Sequence, residues 1–100
     1  VSQTEQPMFH PACKFIQAPH VTEVDAGTDH FLADQAGTAI HRLNPSSVVI
    51  WRLLSEPIDQ AELVALMAAV FPETDPDQIF LDTESMLRTF VNAGLVTATS

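Results

Sequence analysis

The sequence predicts an α+β fold in which a three-stranded antiparallel sheet is followed by three helices. Two observations lead to this prediction. Residues 19–43 alternate between apolar and polar side chains and are interrupted by glycine-bearing turns, whereas the spacing of apolar residues becomes helical from Asn44 onward. Each later segment also opens with a helix-capping signal. One hundred residues are enough for a single hydrophobic core, so we expect one small domain.

Residues 19–43 are expected to form an antiparallel meander of short strands. Short connections that contain glycine, Asp25-Ala26-Gly27 and Gln35-Ala36-Gly37, separate the alternating segments. Such connections join neighbouring antiparallel strands. The predicted strands are His20–Val24, His30–Asp34 and Thr38–Leu43.

Three helices are expected after the sheet. Asn44 and Pro45 are suited to the N-cap and first position of a helix that runs to about Leu54. Asp59 and Glu62 form a capping box for a second helix to about Phe71. Asp75-Pro76 repeats the cap-and-proline pattern before a third helix, at about residues 76–93, and Gly94 is suited to end it. Leu95-Val96 is expected to be a short terminal strand or a packing tail.

The apolar spacing also predicts which helical residues are buried. On the second helix one stripe is expected to face the core, and it consists of Leu63, Leu66, Met67, Val70 and Phe71. The corresponding stripe on the third helix consists of Ile79, Thr83, Met86, Leu87, Phe90 and Val91. Trp51 lies in a nearly all-apolar helix, so we expect it to be part of the core.

The first 18 residues show no regular period. Two prolines and a polar beginning indicate an irregular or flexible tail, with the folded domain at residues 19–97.

The charge of the chain argues against nucleic-acid binding. Four Lys and Arg residues stand against thirteen Asp and Glu residues, for a net charge of −9. Proteins that bind nucleic acids neutralise phosphates with Lys and Arg, which are scarce here. The apolar runs at residues 48–54 and 63–71 are much shorter than the ~20 residues of a membrane-spanning helix. A single cysteine is compatible with a reducing compartment, so we expect a cytoplasmic protein that does not enter a membrane.

No motif in the sequence indicates catalysis, a metal or a cofactor. His10, Cys13 and His20 have ligand-type side chains, but their spacing lacks a fourth ligand and a paired Cys-x2-Cys. Cys13 has no base oriented by a recognisable pattern, as a nucleophile would need. There is no glycine-rich phosphate loop. We therefore predict neither an enzyme nor a metal or cofactor site.

Through the order of several motifs, the sequence resembles the PqqD-like family, the recognition elements for ribosomally synthesised and modified peptides. The motifs are Leu43-Asn44-Pro45, Ile50-Trp51 with Leu53-Leu54, Asp82, and Gly94-Leu95, and the resemblance covers about residues 20–96. It implies a small winged-helix-like domain that binds the leader segment of a precursor peptide and presents it to a modifying enzyme. That enzyme would be a radical enzyme, a cyclase or a protease of the same pathway.

The resemblance also implies where a leader peptide would bind. It would add an extended strand to the third predicted strand, in a groove beside the third helix, as exposed sheet edges allow. The residues expected to contact it are Thr38, Ala39, Ile40, His41 and Arg42 on the strand, and Ile79, Asp82, Thr83 and Met86 on the helix.

Each of these residues can also be interpreted without a role in ligand binding. Asp82 could serve only as a solvated acid near a helix start, where the helix dipole favours it. Leu81 is expected to be exposed, with or without a binding role. Ile40 and Arg42 share one strand face, and His41 and Leu43 share the other, with Leu43 in the core. Arg42 would then face either a peptide or solvent.

Two other classes of function compete with peptide binding. A winged-helix nucleic-acid binder has a similar arrangement of helices and sheet, although the third helix here carries Arg88 against Asp77, Asp82 and Glu84. An exposed strand edge could also pair with a second copy of the chain, in a dimerising structural protein. The oligomeric state stays open.

Overall fold

The computed structural model describes residues 13–34 and 39–99, which form two small antiparallel sheets and three helices. The strands are β1 (Lys14–Gln17), β2 (Thr22–Ala26), β3 (Asp29–Ala33), β4 (Ile40–Leu43), β5 (Ile58–Asp59) and β6 (Val96–Thr99). The helices are α1 (Pro45–Leu53), α2 (Gln60–Val70) and α3 (Pro76–Asn92). The α+β class and the predicted order, a three-stranded antiparallel sheet and then three helices, are confirmed.

The predicted meander is the sheet with strand order β2-β3-β4. Val24 pairs with Phe31 in the first hairpin, and Phe31 pairs with Arg42 in the second. The loop between β2 and β3 is Gly27-Thr28, and Gly27 has φ +70°. A two-residue hairpin loop needs a positive φ at this position, which glycine adopts without steric cost.

A second sheet, with strand order β5-β1-β6, was not predicted in full. The prediction of an irregular tail at residues 1–18 is wrong for Lys14–Gln17, which forms the central strand of this sheet. Phe15 is 1% exposed and Cys13 is also buried. Residues 1–12 of the predicted tail lie outside the described residues. The predicted terminal strand exists as β6.

The predicted caps begin all three helices. The Asn44 side chain accepts a hydrogen bond from the Ser47 amide at 2.8 Å, and Asp59 and Glu62 form the reciprocal capping box. Asp75 accepts from the Asp77 amide at 2.8 Å. These bonds satisfy amide groups that a helix leaves without intrahelical partners.

The end of α3 is a Schellman motif. Gly94 has φ +76°, and its amide donates to the carbonyl of Val91 at 3.1 Å. The amide of Leu95 donates to the carbonyl of Phe90 at 2.9 Å. The chain therefore reverses directly from α3 into β6, as glycine at this position predicts.

The core lies between the helices and the two sheets. Trp51 is 3% exposed, as expected, and its ring meets Phe90 edge-on with the centroids 6.0 Å apart. The predicted stripe on α2 is wrong for two members, because Leu66 and Val70 are 42% and 49% exposed. Leu63 and Met67 alone are buried in α2, so the helix presents a narrower face to the core than its apolar spacing implies.

Candidate functional site

Strand β4 leaves one edge of its sheet open. It pairs with β3 on one side, and no described strand pairs with its other side. The amide of Asp34 donates to the carbonyl of Ala39, so these two residues form a hydrogen-bonded pair between β3 and β4. In an antiparallel ladder every second residue forms such a pair. His41 and Leu43 therefore bond to β3. The N–H and C=O groups of Ile40 and Arg42 point to the open edge, which we call the β4 edge.

The two faces of this sheet differ in what covers them. Paired residues of neighbouring strands share a face, so Glu23, Leu32 and His41 lie on one face. Arg52 of α1 donates to Glu23 at 2.7 Å, and this face is therefore the inner one, toward the helices. The opposite, outer face carries Ile40, which is 67% exposed. The prediction that Leu43 is in the core is confirmed by its 6% exposure.

A pocket of about 370 Å³ lies among the three helices, and we call it the helical pocket. Its lining combines apolar side chains with hydroxyl, amide and carboxylate groups. A pocket of this kind suits an apolar side chain with a polar end. The lining residues are Asn44, Ser46, Ile50, Met67, Phe71, Thr74, Ile79, Asp82, Thr83, Ser85 and Met86.

A second pocket, of about 560 Å³, adjoins the end of β4, and we call it the edge pocket. It shares Asn44 and Met86 with the helical pocket, so these two side chains border both depressions. The Ser47 hydroxyl donates to the Met86 sulfur at 3.5 Å, which holds the Met86 side chain against α1. The lining residues are Thr28, Asp29, Arg42, Leu43, Asn44, Pro45, Ser47 and Met86.

The charged groups around the site are held by neighbours. Gln78 donates to the Asp82 carboxylate at 2.7 Å, one turn apart on α3. Arg42 donates to Asp29 at 2.9 Å across the hairpin, and both side chains are exposed. On the inner face, the hydrogen bond from Arg52 to Glu23 raises the pKa of Arg52 above its ordinary value.

The predicted site residues fall into three groups. The four residues on α3 all line the helical pocket, and Met86 also lines the edge pocket. Of the strand residues, Arg42 lines the edge pocket, whereas Ala39, Ile40 and His41 line neither pocket. Thr38 lies outside the described residues. Their assignment to peptide binding stays a prediction.

Burial separates the roles that the α3 residues can have. Ile79 and Thr83 are 6% and 1% exposed, so they form the floor of the helical pocket. Asp82 is exposed and Met86 is half-buried, so these two offer surface to a ligand.

Sequence reasoning missed the residues that other elements contribute to the pockets. Asn44 was identified as a cap and Phe71 as a core residue, yet both line the helical pocket. Ser46, Thr74 and Ser85 were not singled out. Their positions follow from how three helices meet, and no local pattern in the sequence carries that information.

One group of metal-type ligands occurs in the described residues, on the inner face of the β2-β3-β4 sheet. One ligand atom each from Glu23, Asp25 and His30 lies within 4.8 Å of the others. These atoms already have partners, because Arg52 pairs with Glu23 and Asp25 pairs with His30.

The described residues contain no helix that is both long and apolar enough to cross a membrane.

Comparison with known proteins gives a family and a fold. The family model for coenzyme PQQ synthesis protein D (PqqD) matches residues 29–96, which is more than half of the chain. No sequence among the curated proteins matches significantly. A solved structure described as TbiB1 in complex with the TbiA(beta) leader peptide has the same fold, with a TM-score of 0.68. The two chains are 21% identical, and the match covers 81% of this chain and 93% of the other.

Proposed function

Because the chain belongs to the PqqD family, we propose that it is a non-catalytic module that captures the leader segment of a ribosomally made precursor peptide. The leader adds an extended strand to the β4 edge, and the module then presents the precursor to a modifying enzyme of the same pathway. The resemblance to the TbiB1 complex supports this proposal, because that protein holds a leader peptide.

The observation that carries the proposal is the open β4 edge with the edge pocket beside it. Ile40 and Arg42 direct unpaired N–H and C=O groups outward, which can fix an extended peptide in register. The hydrogen bonds of an added strand do not depend on the peptide sequence, because they join only main-chain groups. Pockets that receive alternate side chains then supply the selectivity.

Met86 links the strand edge to the pockets. It lines the edge pocket together with Arg42 and Leu43, and it also lines the helical pocket. In a strand added to the β4 edge, the residue opposite His41 turns to the inner face, because side chains opposite each other share a face. That residue is directed toward the side on which α3 lies.

The charges of α3 oppose the nucleic-acid-binding alternative. A recognition helix contacts phosphates and base edges with basic residues. Here α3 carries Arg88 as its one basic residue against Asp77, Asp82 and Glu84. The net charge of −9 adds long-range repulsion.

Residue-resolved hydrogen exchange tests strand addition directly. The probe is a synthetic peptide with the leader sequence of a short precursor gene sought in the neighbourhood of this gene, added to the ¹⁵N-labelled full chain. In the free protein, the amides of Ile40 and Arg42 should exchange fast and those of His41 and Leu43 slowly. With the peptide at 100 times its Kd, exchange at Ile40 and Arg42 should slow by up to about 100-fold, because only the free fraction exchanges.

The other edge of the same sheet provides the control. Each β3 residue bonds either to β4 or to β2, in alternation. The β3 residues that bond to β2 are paired with Thr22, Val24 and Ala26, so the amides of Glu23 and Asp25 point to the open edge of β2. They should exchange fast with and without the peptide. Equal protection on both edges, or peptide binding without protection of Ile40 and Arg42, would contradict strand addition to β4. No binding at micromolar concentrations would contradict the proposed function itself.

A further inference from the structure

The outer face of the β2-β3-β4 sheet carries apolar side chains that the fold leaves uncovered. Val24 is 42% exposed and Ile40 is 67% exposed, the largest exposed fraction among the large hydrophobic residues described. Phe31, on the strand between them, is partly exposed. The helices pack on the opposite face, where Arg52 pairs with Glu23. These apolar residues therefore serve neither the core nor the two pockets.

The register determines which leader residues reach this face. A peptide residue that exchanges hydrogen bonds with Ile40 or Arg42 lies directly opposite it, and its side chain points to the same, outer face. The residue between them points inward. The two outward side chains are thus two residues apart, and each has a fixed neighbour on β4.

We propose that the module selects its leader on both faces of the added strand. An apolar leader residue packs on Ile40 at the outer face, and a carboxylate two residues away pairs with Arg42. This inference rests on the proposed function and extends it, because it specifies the leader side chains that meet the outer face of β4, where Arg42 also lines the edge pocket and Ile40 lines neither pocket. If the added strand is antiparallel, like the strand pairs described here, the acidic residue precedes the apolar one, as in acidic-x-apolar.

Ile40 has the surroundings of an apolar contact site. It pairs with Ala33, a small residue, and Phe31 is its diagonal neighbour on the same face. Diagonal neighbours in a sheet lie within reach of an aromatic ring. An apolar side chain opposite Ile40 would therefore be covered by Ile40 and would enlarge the apolar surface that Ile40 shares with Phe31.

Arg42 has spare hydrogen-bonding capacity. One of its terminal nitrogens donates to Asp29, while its side chain stays 71% exposed. A guanidinium group has five N–H donors in a planar fork, so it can bind a second carboxylate while keeping the first. Asp29 holds the fork on the outer face, because it lies on that face of β3.

Peptide selection from a displayed random library tests the inference without knowledge of the natural leader. The full chain would select from an mRNA-displayed library of 12-residue peptides, in parallel with the variants Ile40→Lys, Arg42→Glu and Val24→Lys. All three positions are exposed, and amide spectra would verify that each variant is folded. Val24→Lys is the matched control, because it changes the same face on the strand farthest from the β4 edge.

The expected result is a change of preference at single positions. The natural chain should enrich acidic-x-apolar, and Ile40→Lys should replace the apolar residue by an acidic one. Arg42→Glu should replace the acidic residue by Lys or Arg, while Val24→Lys should leave the pattern unchanged. The Ile40→Lys and Arg42→Glu variants should each bind the peptides that they selected at least fivefold more tightly than the peptides that the other of the two selected.

The alternative results separate this inference from the proposed function. Enriched peptides that bind at β4 with the same preferences in all four proteins would overturn outer-face selection and leave strand addition intact. A response to Val24→Lys equal to that of Ile40→Lys would also overturn it. If neither the library nor the neighbouring leader yields binding, the inference and the proposed function both fail.

Discussion

Replacing Phe15 by alanine tests whether β1 is an integral part of the fold. Phe15 is 1% exposed, and it pairs with Ile58 on β5 and with Ala98 on β6. Removing a buried phenylalanine side chain costs about 3–5 kcal/mol, through lost transfer free energy and the cavity left behind. A domain of this size has a total stability of about 5–15 kcal/mol. Phe15→Ala should therefore remove a large share of it.

The assay is thermal and urea unfolding followed by circular dichroism. A loss of 1 kcal/mol lowers the Tm of a domain of this length by about 4–8 °C, so we expect a decrease of about 12 °C or more. The control is Lys14→Ala, because Lys14 is exposed on the same strand and should change stability by less than about 0.5 kcal/mol. If the two variants unfold at the same temperature, β1 is not docked as described.

Three further predictions concern the end of α3, an ion pair and the pockets. Gly94→Ala should cost about 1 kcal/mol in urea unfolding, because Gly94 has φ +76° with nothing near its Cβ position; a neutral result would contradict the left-handed cap. Arg52→Gln should leave the urea-unfolding midpoint nearly unchanged, because the ion pair with Glu23 is screened by solvent, and a clear destabilisation would mean that the pair has a structural role. Met86→Ala should weaken leader binding about tenfold in calorimetry, because Met86 lines both pockets. Leu81→Ala, at an exposed position, should change the affinity less than twofold, and equal effects of the two variants would mean that the pockets do not contact the leader.

The parts of the fold that were predicted correctly are those with local causes. Asn44, Asp59 and Asp75 each bond to an amide two or three residues ahead, so their role can be recognised within a short window. The same holds for Gly94, whose conformation depends on the last turn of α3. The sequence predicts these positions because the interaction partners are sequence neighbours.

Strand β1 was missed because its partners are distant. Gln17 pairs with Val96, and Lys14 pairs with Thr99, at the other end of the chain. Four residues without a glycine turn carry no signature of such pairing. The exposure of Leu66 and Val70 was missed for a related reason, since burial depends on which elements pack against α2.

The candidate site was predictable in part. The helical period predicts the stripe that holds Ile79, Thr83 and Met86, and the family resemblance adds Asp82 and the binding role; all four residues line one pocket. The outward direction of the Ile40 and Arg42 amides, however, depends on the register with β3, which the amide of Asp34 reveals by bonding to Ala39. A shift by one residue would have exchanged these positions with those of His41 and Leu43.

The energetics of the β4 edge explain why the pockets must contribute to binding. Ile40 and Arg42 offer four backbone groups, and each hydrogen bond contributes about 0.5–1.5 kcal/mol net. Their sum, about 2–6 kcal/mol, reaches only the lower end of the roughly 4–15 kcal/mol that association costs in lost freedom. A second copy pairing through the same edge meets the repulsion between two chains that each have a net charge of −9. A peptide that also buries one or two apolar side chains gains about 1.5–3 kcal/mol for each. The edge therefore sets the register of the bound strand, and the pockets decide whether it stays bound.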